Sequence, residues 1–214
     1  MSGVLARPST CGRVATRWPD GHTEWVELTT WISAEHDAVL GRFEQSVVGV
    51  VPLERWRDPV GAGGSSLAWL TFHIAYHEDL AVNAVLGGAP TLLAEARDDL
   101  GLGAFEPAQG LGETEEPALS AALDLDALLA YTRRVHAAGV DRLGALDAGA
   151  LGDVPESAVA LAGAGIEEAS VPWLYRMWTG RPASFFVQWE AIGHRINHVG
   201  EMVSVRNRLG LSPF

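Results

Sequence analysis

"EAIGHRINHVGEMVSVRNRLG", residues 190–210, is the stretch on which the reading of this chain turns. It spaces its apolar residues as an amphipathic helix does and runs up to a glycine, Gly210. At helical spacing Val187, Ala191, His194, His198, Glu201 and Val205 share one stripe. A second stripe, Phe185, Trp189, Ile192, Ile196, Val199 and Val203, is apolar throughout. With two sides covered, positions such as Arg195 and Asn197 are left for solvent. Two imidazoles one turn apart on an inward stripe need partners, because an unpaired buried polar group costs about 1–3 kcal/mol. Taken alone, the pair fits satisfied core histidines as well as it fits two ligands of one ion, held by bonds of about 2.0–2.1 Å.

Upstream, "SLAWLTFHIAYHEDLAVNAVL", residues 66–86, is a second helix. Leu70, His73, His77, Leu80 and Ala84 fall on one face, so a third imidazole is available to the same core. Ser65 or Ser66 can cap this helix, and Gly87-Gly88 ends it. A first helix is predicted over about 24–51, stopped by Pro52. A third is predicted over about 124–147, with Asp124 or Asp126 near its start, and the fourth over about 184–209, with Ser184 as cap after Pro182. Residues 87–123 and 148–183 are long connections between helices two and three and between three and four. The first suits a partly helical segment or a lid. The second contains "SVPWLYRMWTGRP" and suits a buried loop with its aromatics packed beneath it, ahead of a wall facing substrate in which Trp173, Tyr175 and Trp178 shape the pocket and Arg176 holds a carboxylate. His22 reads as a surface residue, and His36 and His136 as histidines packed at the core edge or surface. The fold class is all-α, a single helical bundle over residues 1–214, with 1–22 a loosely ordered extension.

Composition narrows the function. A net charge of −12 with no basic run argues against a nucleic-acid partner, which needs clustered Lys and Arg. A single cysteine, Cys11, excludes a disulfide framework and a thiolate-rich metal site, and its place near the N-terminus makes it a poor nucleophile. No run approaches the roughly 18 apolar residues of a membrane span, and the N-terminal stretch lacks the apolar centre of a signal peptide. The expected location is cytoplasmic. The apolar second stripe of helix four is open to a homodimer interface or to the bundle itself.

The two histidine-bearing stretches together resemble the DinB-like superfamily, which includes the mycothiol-dependent maleylpyruvate isomerases. Trp69, His73, Ile74 and Ala75 match its helix-two pattern, and His194, His198, Gly200 and Glu201 its helix-four pattern. The resemblance covers helices one, two and four; residues 87–123 and 148–183 match nothing in it. It implies a four-helix bundle of up-down-down-up order holding a divalent metal, zinc or nickel, on His73, His194 and His198 with an open position. His77 is the rival of His73, and Glu78 and Asp79 read as solvated. Glu201 or Glu190 can take the free ring N–H of a ligand. The implied activity is thiol-dependent S-transfer or isomerisation of a small-molecule substrate, with mycothiol or another low-molecular-weight thiol as the metal-bound nucleophile. The alternatives are a hydrolase using metal-bound hydroxide with Glu201 as catalytic base, and a non-catalytic metal- or ligand-binding bundle.

Overall fold

The computed structural model describes residues 13–17, 19–20, 23–59, 61 and 64–212. Cys11 and His22 lie outside the described residues. Helix α2, Leu67–Glu78, is the axis of the molecule: all twelve of its residues are buried. It contains neither Gly nor Pro, and Ser66 caps it by accepting the Trp69 N–H at 3.2 Å. The helix continues through a π-helical stretch, Asp79–Leu86, and stops at Gly87.

The predicted first helix begins later than expected. Thr23–Glu27 forms a strand, β2, paired antiparallel with β1, Arg13–Arg17, in the register Arg13↔Glu27 to Arg17↔Thr23. Thr23, Trp25 and Val26 are residue types that suit a strand as readily as a helix, so local pattern alone does not separate them. Helix α1 then runs Leu28–Phe43, widens into a π turn over Glu44–Val48 and leaves helical geometry before Pro52. Its buried residues Ile32, His36, Val39 and Phe43 recur at helical spacing, with Val47 one turn on.

Both long connections carry short helices: α3 (Leu93–Ala96) and α4 (Pro117–Ala122) in the first, α6 (Ser157–Gly163) and α7 (Pro172–Trp178) in the second. Between them lies α5, Leu125–Gly144, capped by Asp124 rather than Asp126. The first connection is pinned to α2 at both ends. Asp79 accepts the backbone N–H groups of Leu92 and Leu93 at 3.0 and 2.8 Å, together with the Tyr131 hydroxyl at 2.8 Å. Glu115 accepts from Ser66 N and Oγ at 2.8 and 2.7 Å and from Ser120 Oγ at 2.6 Å. Asp79, expected to be solvated, is a buried post because the loop brings it donors.

The fourth helix departs most from expectation. After α8, Ala183–Phe185, it is π-helical over Phe186–His194 and regular only in α9, Arg195–Arg208. A π stretch closes i→i+5 hydrogen bonds and rotates the faces that follow it. Trp189 of the predicted apolar stripe is therefore 38% exposed, while Glu190 and Arg195 are at 0% and 1%. Helices α1 and α2 each pack on α5 and on α9, and one apolar cluster runs from Val39 through Trp69 and Leu128 to Val205. No described helix is long and apolar enough to cross a membrane.

Glu78 and Arg195, both read as solvent-facing, meet instead inside the core with Oε2 and Nε 3.0 Å apart. His36 Nε2 lies 2.5 Å from the other Glu78 oxygen and stacks on His136 at 4.2 Å, and His136 bonds Asp37 at 2.8 Å. Glu78 and Arg195 are buried, so their charges meet each other rather than solvent. Gly139 of α5 makes the space: a Cβ at that position would stand 2.9 Å from His36 Cε1 and 3.0 Å from Glu78 Oε1.

Two outcomes are expected. Gly139→Ala lowers stability by roughly 1–3 kcal/mol through overpacking, read as a lower urea midpoint at unchanged slope. Burial alone would raise the Glu78 carboxyl, but the Arg195 charge and the His36 hydrogen bond outweigh it and hold it below its ordinary 4.5. A depressed carboxyl stabilises the fold above its unfolded value and loses that contribution as pH falls through the lower folded value. Glu78→Gln therefore costs about 3–5 kcal/mol at neutral pH by stranding Arg195. Its deficit against the wild type shrinks as pH drops below 4.5; a gap independent of pH would contradict this.

Candidate metal centre

His73 projects from α2, His194 from the end of the π stretch, and His198 from the first turn of α9. Their Nε2 atoms converge: His194 Nε2 is 3.2 Å from that of His73 and 3.1 Å from that of His198. The other nitrogen of each ring shows where the protons sit. His73 Nδ1 is 2.9 Å from the Gly110 carbonyl, which can only accept, so Nδ1 carries the hydrogen and Nε2 a lone pair. His198 Nδ1 is likewise 2.9 Å from Glu201 Oε2. With both neighbours' lone pairs aimed at it, His194 Nε2 could donate to one and would still face the other. A single cation answers all three. Tetrahedral bonds of about 2.0–2.1 Å separate neighbouring donors by about 3.3–3.4 Å, close to the spacing observed. The residues fit a divalent metal.

Electrostatics agree with the geometry. Burial, helped by the neighbouring His77, pushes His73 down to about 2. Burial and the surrounding imidazoles drive His194 lower still. Both rings stay neutral at physiological pH, and a proton offers little competition for the lone pairs.

The structure brings His73, His194 and His198 together and leaves His77 to one side. His77 Nε2 donates to the Leu111 carbonyl at 3.1 Å and its Nδ1 faces Glu190 Oε2 at 3.3 Å. Burial alone would lower His77, yet its bond to Glu190 and that residue's charge raise it. Glu190 is fully buried, takes the Trp178 indole N–H at 2.7 Å and stands 3.7 Å from His194 Nδ1, which has no hydrogen bond among the described residues. Glu201 sits behind His198, on Nδ1, rather than among the converging Nε2 atoms.

Pattern reading missed Glu113. Its Oε1 is 3.9 and 4.0 Å from the Nε2 atoms of His73 and His194, and its Oε2 3.6 Å from that of His198. These four residues form one group able to hold an ion; His77, Glu190 and His194 form another, as do His36, Asp37 and His136. In the last, the two imidazoles are stacked at 9°, so their in-plane lone pairs do not converge. The only sequence signal for Glu113 is an acid beside glycines in "GLGET", residues 110–114. Gly110 is required there: its φ is +89° and a Cβ would stand 2.3 Å from Phe72 Cε1.

The aromatic segment contributes packing more than a binding wall. Trp173 stacks on His77 at 6.3 Å, the Tyr175 hydroxyl donates to Ile166 O at 2.7 Å, and Arg176 is exposed. A cavity of about 560 Å³ lined by Tyr76, Arg97, Pro107 and Val159 includes none of the three converging histidines.

Comparison with known proteins agrees with this architecture. No curated protein matches the chain. The crystal structure of a conserved protein from Enterococcus faecalis superposes with a TM-score of 0.63 at 18% identity, covering 86% of this chain and 99% of that one. At that identity the likeness shows the fold alone. The sequence profile of the DinB superfamily matches residues 37–202, which span α2, the Glu113 loop and both histidines of the fourth helix. The chain belongs to the DinB superfamily.

Proposed function

We propose that this protein is a divalent-metal-dependent enzyme in which His73, His194 and His198 hold the ion, zinc or nickel, through neutral Nε2 atoms. One observation carries the reading: three imidazoles, two buried and one partly buried, bring their Nε2 atoms together, two with their protons held elsewhere. A divalent ion bound there would lower the pKa of a coordinated thiol or water toward neutrality. The protein's own groups orient the ligands. Gly110 O and Glu201 hold the Nδ1 protons of His73 and His198, and Glu190 Oε2 stands 3.7 Å from His194 Nδ1. Glu201, on His198 Nδ1, acts in this reading as a positioning residue; its role as catalytic base belongs to the hydrolytic alternative.

The co-substrate is a low-molecular-weight thiol of the mycothiol type, by resemblance to the maleylpyruvate isomerases. The only cysteine, Cys11, lies outside the described residues, so no described residue supplies a thiol. In S-transfer the π bond of an activated alkene breaks, the thiol proton ends on its α-carbon by way of solvent, and the thiol sulfur forms a bond to its β-carbon. In isomerisation that bond later breaks and the thiol is regenerated. A second reading, hydrolysis, has Glu113 in its favour, a carboxylate on the same face as the converging nitrogens. A bundle that binds metal without turnover would catalyse neither reaction. Conjugation of an electrophile panel by the metal-loaded protein with added thiol supports the first reading. Ester or amide cleavage without thiol supports the second, and neither activity the third.

We further propose one bundle of up-down-down-up order over the whole chain, with a small molecule as partner and no nucleic acid, consistent with the net charge of −12. Trp31, 45% exposed, borders a cavity of about 300 Å³ with Leu28, Val187 and Ile192, which supports a homodimer through that face.

Elemental analysis of protein purified without added metal or a histidine tag tests the ligand set. His73→Ala, His194→Ala and His198→Ala should each lose most of the metal, whereas His77→Ala should keep it; full occupancy in the His73 variant would sink the assignment. Glu201→Gln should weaken metal affinity by about 10–100-fold without abolishing it, measured by competition with a chromophoric chelator.

A further inference from the structure

We propose that Glu113 is a fourth and displaceable donor to this centre, so that the resting site is closed by protein and opens when a small anionic ligand, a thiolate above all, takes the carboxylate's place. The inference rests on the metal reading above.

The carboxylate straddles the three nitrogens, with one oxygen 3.9 and 4.0 Å from two of them and the other 3.6 Å from the third. Four tetrahedral donors stand about 3.3–3.4 Å apart at bond lengths of about 2.0–2.1 Å. The Glu113 oxygens therefore stand about 0.2–0.7 Å farther from the nitrogens than donors to one ion do, a gap that a small shift of the side chain closes. Charge points the same way. Three neutral imidazoles leave a divalent ion uncompensated, and the other nearby carboxylates, Glu190 and Glu201, contact ring Nδ1 atoms instead.

The loop is built to hold Glu113 there and to release it. Its anchored side is the pair of consecutive carbonyls, Gly110 O and Leu111 O, which receive the His73 and His77 protons, with Leu111 fully buried. Its free side begins at Gly112, where a Cβ would meet nothing within 4 Å. Glu113 itself is 66% exposed and, among the described residues, has no ion-pair partner besides the three histidines. Withdrawal of the side chain thus breaks no ion pair with any other described residue, while the backbone that fixes the histidine tautomers stays in place. An incoming monoanion replaces the charge that Glu113 removes.

The test uses the full chain loaded with cobalt(II), titrated with 2-mercaptoethanol and followed by the visible ligand-field and sulfur-to-metal charge-transfer bands. If the closed form holds about nine-tenths of the wild type, Glu113→Gln and Glu113→Ala should bind the thiol about tenfold more tightly. Their thiol-free spectra should also differ from the wild type, and circular dichroism should be unchanged. Identical resting spectra and identical thiol affinity in both variants would overturn the role of Glu113 while leaving the three-histidine site standing. Cobalt loss from Glu113→Gln as complete as from His73→Ala would make Glu113 an obligatory ligand and overturn its displaceability. Failure of the wild type itself to take up cobalt would overturn the metal reading, and this inference with it.

Discussion

Three imidazoles with converging Nε2 atoms, those of His73 and His194 buried and that of His198 partly so, constrain the rest of this molecule. With His194 Nε2 at 3.2 and 3.1 Å from its two neighbours, none of the rings can turn without aiming a proton or a lone pair at the wrong partner. Those of His73 and His198 are fixed from behind by an acceptor, since a buried ring nitrogen left unpaired costs about 1–3 kcal/mol. Much of the surrounding structure meets that demand. The first connection lays two consecutive carbonyls on His73 and His77, Glu201 stands one turn beyond His198, and Glu190 is buried beside His194. Trp178, from the second connection, then bonds Glu190. Both loops are thus tied to the centre by polar contacts.

Helix α2 shows how such a centre coexists with a stable fold. His77, Glu78 and Asp79 are consecutive, fully buried and directed to different neighbours. His77 faces Glu190 and Leu111, Glu78 faces His36 and Arg195, and Asp79 faces the start of α3 and Tyr131. Successive helical residues point about 100° apart, so one short run serves three layers. The Glu78–Arg195 pair ties α2 to α9 close to the ligands, with Arg195 next to His194 in the chain. Removing either partner would strand a charge where water cannot reach it. The pair therefore carries structural weight beside the converging histidines.

The π-helical stretches explain the faces that local pattern misplaces. Regular helical spacing puts Trp189 on an inward apolar stripe and Arg195 outside, and the structure reverses both. The wider turn over Phe186–His194 shifts the phase between those positions. It also delivers His194 and His198 to α2 at the required separation. Regular geometry resumes at Arg195, and from there Val199, Met202 and Val205 are buried at helical spacing.

Much of this was legible in the sequence, because it depends on local spacing. Apolar periodicity marks the long helices, a serine and an aspartate mark two of their starts, and histidines at i and i+4 announce one inward face. The pairing of His73 with His194 and His198 followed from resemblance, since no local rule joins residues 121 positions apart. Only the tertiary structure decided which way His77 turns, what Glu78, Asp79, Glu190 and Arg195 do once buried, and that Glu113 reaches the centre at all. The physical reason is common to them. A histidine's tautomer and a carboxylate's burial depend on which atoms the packed chain sets opposite them, and backbone carbonyls such as those of Gly110 and Leu111 carry no side-chain signature. Local spacing determined the helices and half of the centre; the packing between helices and loops determined where its protons and charges sit.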